Sequence, residues 1–267
     1  MTFRLAGATR LVPIVGDPIA QVISPTGMSE AFAASGRNTV VIPAHVASSD
    51  LARWFDGQAA MRNVDGIIIT VPHKFAAYRL CGTASDRAHA LCSVNTIRRN
   101  GDGSWHGDLF DGLGCVAAAK AAGCRFEGER VLLVGAGGAG RAIAQAVAAE
   151  GVGELALHDA DAARRDDLLL RLKAIGAPVV VGTADPRGFD VVLNATPVGM
   201  RAGDPLPVDG DGLSQSMFVG CPITEPKVSP LVARARALGC RTMTGADMFR
   251  GVRDLMLAFL LETPRFG

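Results

Sequence analysis

The chain has 267 residues, enough for one large or two modest domains whose core needs no covalent staples. With 49% apolar against 20% charged residues, it falls outside the disordered and extended classes. Twenty-seven basic and 26 acidic side chains leave a formal charge of +1 with no basic stretch, which argues against a polyanion such as nucleic acid as partner.

The opening MTFRLAGATR has no long apolar stretch, and the greasiest late run, Leu255 to Leu261, is far shorter than the ~20 residues of a membrane span. The expectation is a cytoplasmic protein with no nucleic acid and no membrane as partner. Cys81, Cys92, Cys115, Cys124, Cys221 and Cys240 show no C-x-x-C spacing, so no metal site is expected and the thiols read as reduced core residues.

Before residue 110, short apolar runs alternate with helical stretches: LVPIVGD, a helix near Pro25 to Ser35, NTVVIPA, a helix near Ser49 to Met61, and VDGIIITVP. This alternation predicts β-α units on a mainly parallel sheet. Ser24-Pro25 reads as a helix cap followed by a first-turn proline, and Gly36 as the stop. From Asp111 to Cys124 the chain is helix-compatible despite two early glycines, and this helix is placed at a domain hinge.

Next come VLLV, a glycine turn, a helix and ELALHD, which together make one β-α-β unit. A helix over Ala163 to Ile175, strands at APVVV, within FDVVLNATPVGM and at MFVGCPI, and a helix over Ser229 to Leu238 follow. The last helix, Ala246 to Leu261, places Met248, Val252, Leu255 and Phe259 on one apolar stripe.

The strongest local signal is Gly135-Ala136-Gly137-Gly138-Ala139-Gly140, directly after a buried-strand run and directly before a helix. There the backbone can approach a pyrophosphate, whose charge is met by unpaired helix N–H groups, so a dinucleotide site is predicted. Asp159 ends the following strand, where a carboxylate accepts from a ribose diol or serves as a plain turn residue. A 2′-phosphate would meet like charge there. NAD is therefore favoured, with NADP possible through Arg164 and Arg165. His158 is assigned no chemistry. In NATPVGM, Asn194, Thr196 and the backbone of Gly199 either reach the nicotinamide half or form an ordinary Pro-Gly turn.

The chain has four lysines, and Lys74 stands just past the strand GIIITVP, at a strand end where sites form. Its amine can donate to a substrate oxygen and steady a developing alkoxide, although a lone lysine is more often a surface residue. Asp111, at the hinge, is a possible proton-transfer partner or a carboxylate that satisfies loose helix N–H groups.

At this point the residues resemble the shikimate/quinate dehydrogenase family over nearly the whole chain. The matching segments are Gly16 to Ile19 with Ser24-Pro25, T-V-P-H-K ending at Lys74, V-N-T from Val94 to Thr96, Asp111 ahead of Gly112 and Gly114, GAGGAG and NATPVGM. The resemblance implies a two-domain α/β protein: a substrate and catalytic domain over 1–111 plus 245–267, with a mainly parallel sheet, and a Rossmann-type NAD(P)-binding domain over 112–244. It implies a Lys74–Asp111 catalytic dyad and substrate contacts at Ser24, Thr70 and Asn95.

Departures from the family's pattern cluster at substrate positions. Val22 replaces a serine, Ile68 an asparagine, Phe110 a threonine and Val252 a glutamine, and Thr224-Glu225-Pro226 stands where Tyr-x-Pro is usual. A buried polar group left unpaired costs roughly 1–3 kcal/mol, at ~1.4 kcal/mol per tenfold in affinity, so these losses compound. The expected function is NAD-linked oxidation of a cyclic secondary alcohol such as shikimate or quinate. The alternatives are a less polar small-molecule substrate or a non-catalytic nucleotide-binding sensor. The assembly is expected to be a monomer or a homodimer.

Overall fold

The structure, a computed structural model, describes residues 5–262. The outermost residues of the expected first domain, 1–4 and 263–267, lie outside the described residues. The chain divides into two compact units: one runs to Phe110 and resumes at Arg253, and the other is Asp111–Val252. The expected boundaries were one residue later at the first junction and eight residues earlier at the second.

The first unit begins with β1 (Arg10–Gly16), α1 (Ser24–Ala34), β2 (Thr39–His45), α2 (Leu51–Ala60) and β3 (Gly66–Ile69). It continues with α3 (Lys74–Tyr78), β4 (Thr83–Ala84), α4 (Asp86–Leu91), β5 (Thr96–Arg99) and β6 (Trp105–Asp108). Its sheet runs β2-β1-β3-β5-β6-β4. β1 pairs in parallel with β2 along its whole length and with β3 at Ile14↔Ile68 and Val15↔Ile69.

β3 and β5 pair antiparallel, as do β5 and β6, so the sheet is mixed where a mainly parallel one was expected. All four residues of β3 are buried, as a central strand covered on both faces requires. Ser24 is the first residue of α1 and Ile23 takes the cap position without a side-chain hydrogen bond, which corrects the expected serine cap. Gly36, with φ +75°, ends the helix as expected.

The second unit opens with α5 (Asp111–Ala121), β7 (Arg130–Val134), α6 (Gly138–Ala148), β8 (Glu154–His158), α7 (Ala162–Ala174) and β9 (Val179–Val181). β10 (Val191–Asn194), β11 (Phe218–Gly220), α8 (Pro230–Ala237), β12 (Arg241–Met243) and α9 (Gly245–Leu261) complete the described chain. Every strand pairing in this sheet is parallel, in the order β12-β11-β10-β7-β8-β9. This is the doubly wound dinucleotide-binding order, whose ligand crevice lies beyond the carboxyl ends of β7 and β10, where the order reverses. The apolar runs of β7, β10 and β11 are buried almost throughout.

The two early glycines of α5 are explained by close approach. A Cβ on Gly112 would collide with the Ala142 carbonyl oxygen of α6, and one on Gly114 would lie 2.7 Å from the Val252 backbone nitrogen of α9. The buried stripe of α9 is Met248, Val252, Met256, Phe259 and Leu260, so Met256 takes the place predicted for Leu255, which is half-buried. Phe259 packs on Phe110 with ring centres 5.3 Å apart.

All six cysteines are free. Four are buried, but Cys81 is half-buried and Cys92 exposed, which corrects their assignment to the core. Burial pushes the Cys115 thiol up to about 12, with the Cys124 and Asp111 charges adding to it, so this thiol stays protonated and inert.

Replacing Gly112 by alanine should destabilise the protein by about 1–3 kcal/mol, because backbone rather than a movable side chain stands in the way. Gly57, inside α2, has nothing within 4 Å of its Cβ position, and Gly57→Ala should stabilise by roughly 0.5–1 kcal/mol. Urea unfolding of both variants checks the pair. Equal shifts would contradict the packing described.

Candidate active site

In the first unit, the ends of β1, β2 and β3 lie close together around Gly16. Gly16 closes β1 against the next turn: a Cβ there would meet the Thr70 methyl, and would lie 3.0 Å from the Val71 carbonyl oxygen and 3.2 Å from Ile19 Cδ1. The Asp17 N–H donates to the Val71 carbonyl (3.0 Å), and the Asp17 carboxylate is 2.8 Å from His45 Nε2. Ser24 and Val22 are half-buried in the segment after β1, and Thr70 is half-buried after β3.

Lys74 opens α3 and is only 8% exposed. A buried lysine is uncommon and usually has a specific task. Its carbonyl accepts from the Val94 N–H (3.2 Å). The next residue, Asn95, is buried: its N–H donates to the Asp108 carbonyl (2.9 Å), and its Oδ1 accepts from the Phe110 N–H (3.0 Å) and the Thr96 hydroxyl (3.1 Å). Val94 and Asn95 thus anchor the backbone of Lys74 and the backbone just ahead of Asp111.

The Asp108 carboxylate adds a second brace that sequence reasoning missed. It accepts from Arg87, Ser85 and the Leu109 N–H. Nothing in the spacing of the sequence marks it. Phe110 is itself buried between Phe259 and the Arg87 guanidinium, which lies 5.0 Å from its ring centre. Ile68 is buried in β3.

In the second unit, Asp111 is the first residue of α5 and is 9% exposed. Val252 is buried on α9 against Gly114.

The glycine turn after β7 has three distinct roles. Gly135 holds φ +107°, and a Cβ there would lie 2.8 Å from the Ala195 carbonyl carbon. Gly140 packs so closely that a Cβ would strike the Gly135 carbonyl oxygen. Gly137 has extended backbone and open space at its Cβ position. Gly137 caps α6 with no side-chain hydrogen bond, so the N–H groups of Gly138, Ala139 and Gly140 open the helix uncapped by any side chain. A tight turn, an open approach and a close helix contact, with a bare positive helix end, fit a dinucleotide's pyrophosphate.

Asp159 braces this turn. Its Oδ2 accepts from the Ala136 N–H (2.7 Å) and its Oδ1 from the Asp161 N–H (2.8 Å), while the Arg164 guanidinium stands 3.8 Å away. Arg164 is also shared with Asp161, at 3.5 Å.

The loop after β10 is braced from within. Asn194 Oδ1 accepts from the Thr196 N–H (2.9 Å) and hydroxyl (2.7 Å), and Nδ2 donates to Cys221 Sγ (3.4 Å). The Gly199 N–H donates to Asp204 (2.9 Å), and that bond, after one from the Arg201 N–H, holds the Asp204 carboxyl below its usual range. Asn194, Thr196 and the Gly199 amide therefore shape this loop through bonds within it. Among the described residues no group of three or more His, Cys, Asp or Glu is placed to hold a metal, and no helix is long and apolar enough to cross a membrane.

Residues 14–97 match the shikimate dehydrogenase substrate binding domain. A Rubrobacter xylanophilus protein named shikimate dehydrogenase (NADP(+)) is 35% identical over 257 residues, covering 93% of this chain and 90% of its own. The chain belongs to the shikimate dehydrogenase family.

Among solved structures, the Corynebacterium glutamicum quinate dehydrogenase in complex with NAD is 28% identical with a TM-score of 0.86, covering 95% of this chain and 94% of that one. The Listeria monocytogenes shikimate 5-dehydrogenase in complex with shikimate and NAD is 26% identical with a TM-score of 0.86, covering 99% and 96%. The family architecture of a mixed substrate-binding sheet and a parallel NAD(P)-binding sheet is the one described above.

Gly137→Ala should melt like wild type, since its Cβ position is open, yet weaken dinucleotide binding about tenfold if the second glycine of the turn admits the pyrophosphate. Gly140→Ala should lose about 1–3 kcal/mol of stability. Thermal melts and fluorescence titration with NAD and NADP check both. Unchanged binding by Gly137→Ala would contradict the site.

Proposed function

We propose that this protein is an NAD(P)-dependent dehydrogenase that interconverts a cyclic secondary alcohol, of the shikimate or quinate kind, and its ketone. The observation that carries the reading is the Val94–Asn95 segment, bonded on one side to Lys74 and on the other to the residue preceding Asp111. When bound, the nicotinamide ring supplies the hydride acceptor, or the donor in the reverse direction.

Lys74 donates to the substrate oxygen and steadies the alkoxide from which hydride departs. Asp111 shares with Lys74 the hydroxyl proton given up as that alkoxide forms. Ser24, Thr70 and Asn95 are the polar groups proposed to orient the substrate. Of the cofactors, NAD is proposed over NADP: the Asp159 carboxylate has accepting capacity left for a ribose diol, and Arg164 is already shared between two aspartates. The reading also takes a small molecule as substrate, a monomer or homodimer as assembly, and the cytoplasm as the place of action.

A second reading, a less polar substrate, is favoured by the packing at three of the departed positions. Ile68 and Phe110 are buried in the first unit's core, and Val252 is locked against Gly114. Apolar packing at these positions supports fewer polar contacts to substrate.

A panel of cyclic alcohols followed at the reduced-nicotinamide absorbance, with NAD and NADP side by side, tests the proposal. Turnover should be higher with NAD, and Lys74→Ala should lower kcat by about 100-fold or more. No turnover of any alcohol, with Lys74→Ala binding ligands as wild type does, would overturn it. Val22→Ser separates the two readings: a rise of about tenfold in kcat/KM for shikimate supports the apolar pocket, and an unchanged or lower value removes it.

A further inference from the structure

His73 stands immediately ahead of Lys74 and has no role in the chemistry above. It is 1% exposed, and its Nε2 lies 2.8 Å from the Val46 carbonyl oxygen. A carbonyl only accepts, so Nε2 carries the hydrogen and donates. Nδ1 is buried with no hydrogen-bond partner. A phenyl ring would fill the same space without stranding a buried acceptor, so what histidine adds here is the single donor at Nε2.

That donor links three strand ends. Val46 follows β2, and its N–H donates to the Gly16 carbonyl at the end of β1 (3.2 Å). The His73 N–H donates to the Thr70 carbonyl just past β3 (3.0 Å), and its own carbonyl accepts from the Ala77 N–H (2.8 Å) inside α3. α3 has five residues, too few to be a stable helix alone, so the direction in which Lys74 leaves the backbone is set by these anchors.

We propose that His73 is a positioning residue for the dehydrogenase reaction: its Nε2–H bond to Val46 ties the turn carrying Lys74 to the ends of β1 and β2 and thereby aims the lysine amine. The inference rests on the dehydrogenase reading for its kinetic consequence and on the tether alone for its structural one.

Two variants separate aim from packing. His73→Phe keeps the ring volume and removes the donor, while His73→Gln returns an N–H near the Nε2 position. His73→Phe should lose about 10- to 100-fold in kcat with little change in either KM and with Tm within about 4 °C of wild type, and His73→Gln should recover most of that rate. Amide exchange over residues 73–78 should quicken in His73→Phe and return towards wild type in His73→Gln.

Wild-type kcat in His73→Phe would overturn the proposal, as would parallel losses of rate and Tm in both variants. A wild-type enzyme silent on every alcohol sinks the dehydrogenase reading instead. Exchange still decides the tether in that case: unchanged exchange in His73→Phe overturns it.

Discussion

Two consecutive residues just before β5 set the geometry on which the proposed chemistry depends. The Val94 N–H is given to the Lys74 carbonyl, and the Asn95 side chain takes the Phe110 N–H, one residue ahead of Asp111. The Asn95 carbonyl in turn accepts from the Ile69 N–H (2.7 Å), which fastens the segment to β3. Asn95 is 3% exposed, so breaking any of these bonds would leave a buried polar group unanswered at a cost of about 1–3 kcal/mol. A lysine whose backbone is held by such a frame is fixed in place before any ligand arrives, and preorganisation of this kind is where much of an enzyme's rate advantage originates.

The nucleotide-binding unit uses its polar residues in the same economical way. Asp159 and Asn194, both read from the sequence as cofactor contacts, spend hydrogen bonds on the loops that form the crevice: Asp159 on the glycine turn and Asn194 on the loop after β10. Asp159 keeps accepting capacity for a ligand, whereas the amide of Asn194 is committed at both ends to Thr196 and Cys221. Loop shape and ligand recognition are therefore coupled: a substitution at either position changes the backbone that a dinucleotide would meet as well as the side chain.

How much could be read from the chain differs between the two units for a physical reason. In the second, strands such as VLLV are continuous apolar runs and the helix stops are glycines with positive φ, so local pattern and final fold agree. In the first, no helix or strand was read from periodicity over residues 73–110. β5 is Thr-Ile-Arg-Arg and β6 is Trp-His-Gly-Asp, and both owe their stability to distant partners: Arg99 donates to the Ala59 and Met61 carbonyls, and Asp108 is held by Arg87.

Those pairings decide burial there and override propensity, and with them comes the antiparallel turn of the sheet that periodicity could not show. Motif order singled out Lys74 and Asp111 in the sequence. His73 and Asp108 were not singled out, since a buried hydrogen bond leaves no mark on spacing.

The central claim is that Lys74 and Asp111 act as one unit on the substrate proton. A double-mutant cycle on kcat, with Lys74→Ala, Asp111→Ala and the two combined, tests it most directly. If the residues share one step, the double variant should be no slower than the slower single variant. Losses that multiply, with the double variant falling by the product of the two singles, would mean that the residues work independently and would contradict the pair.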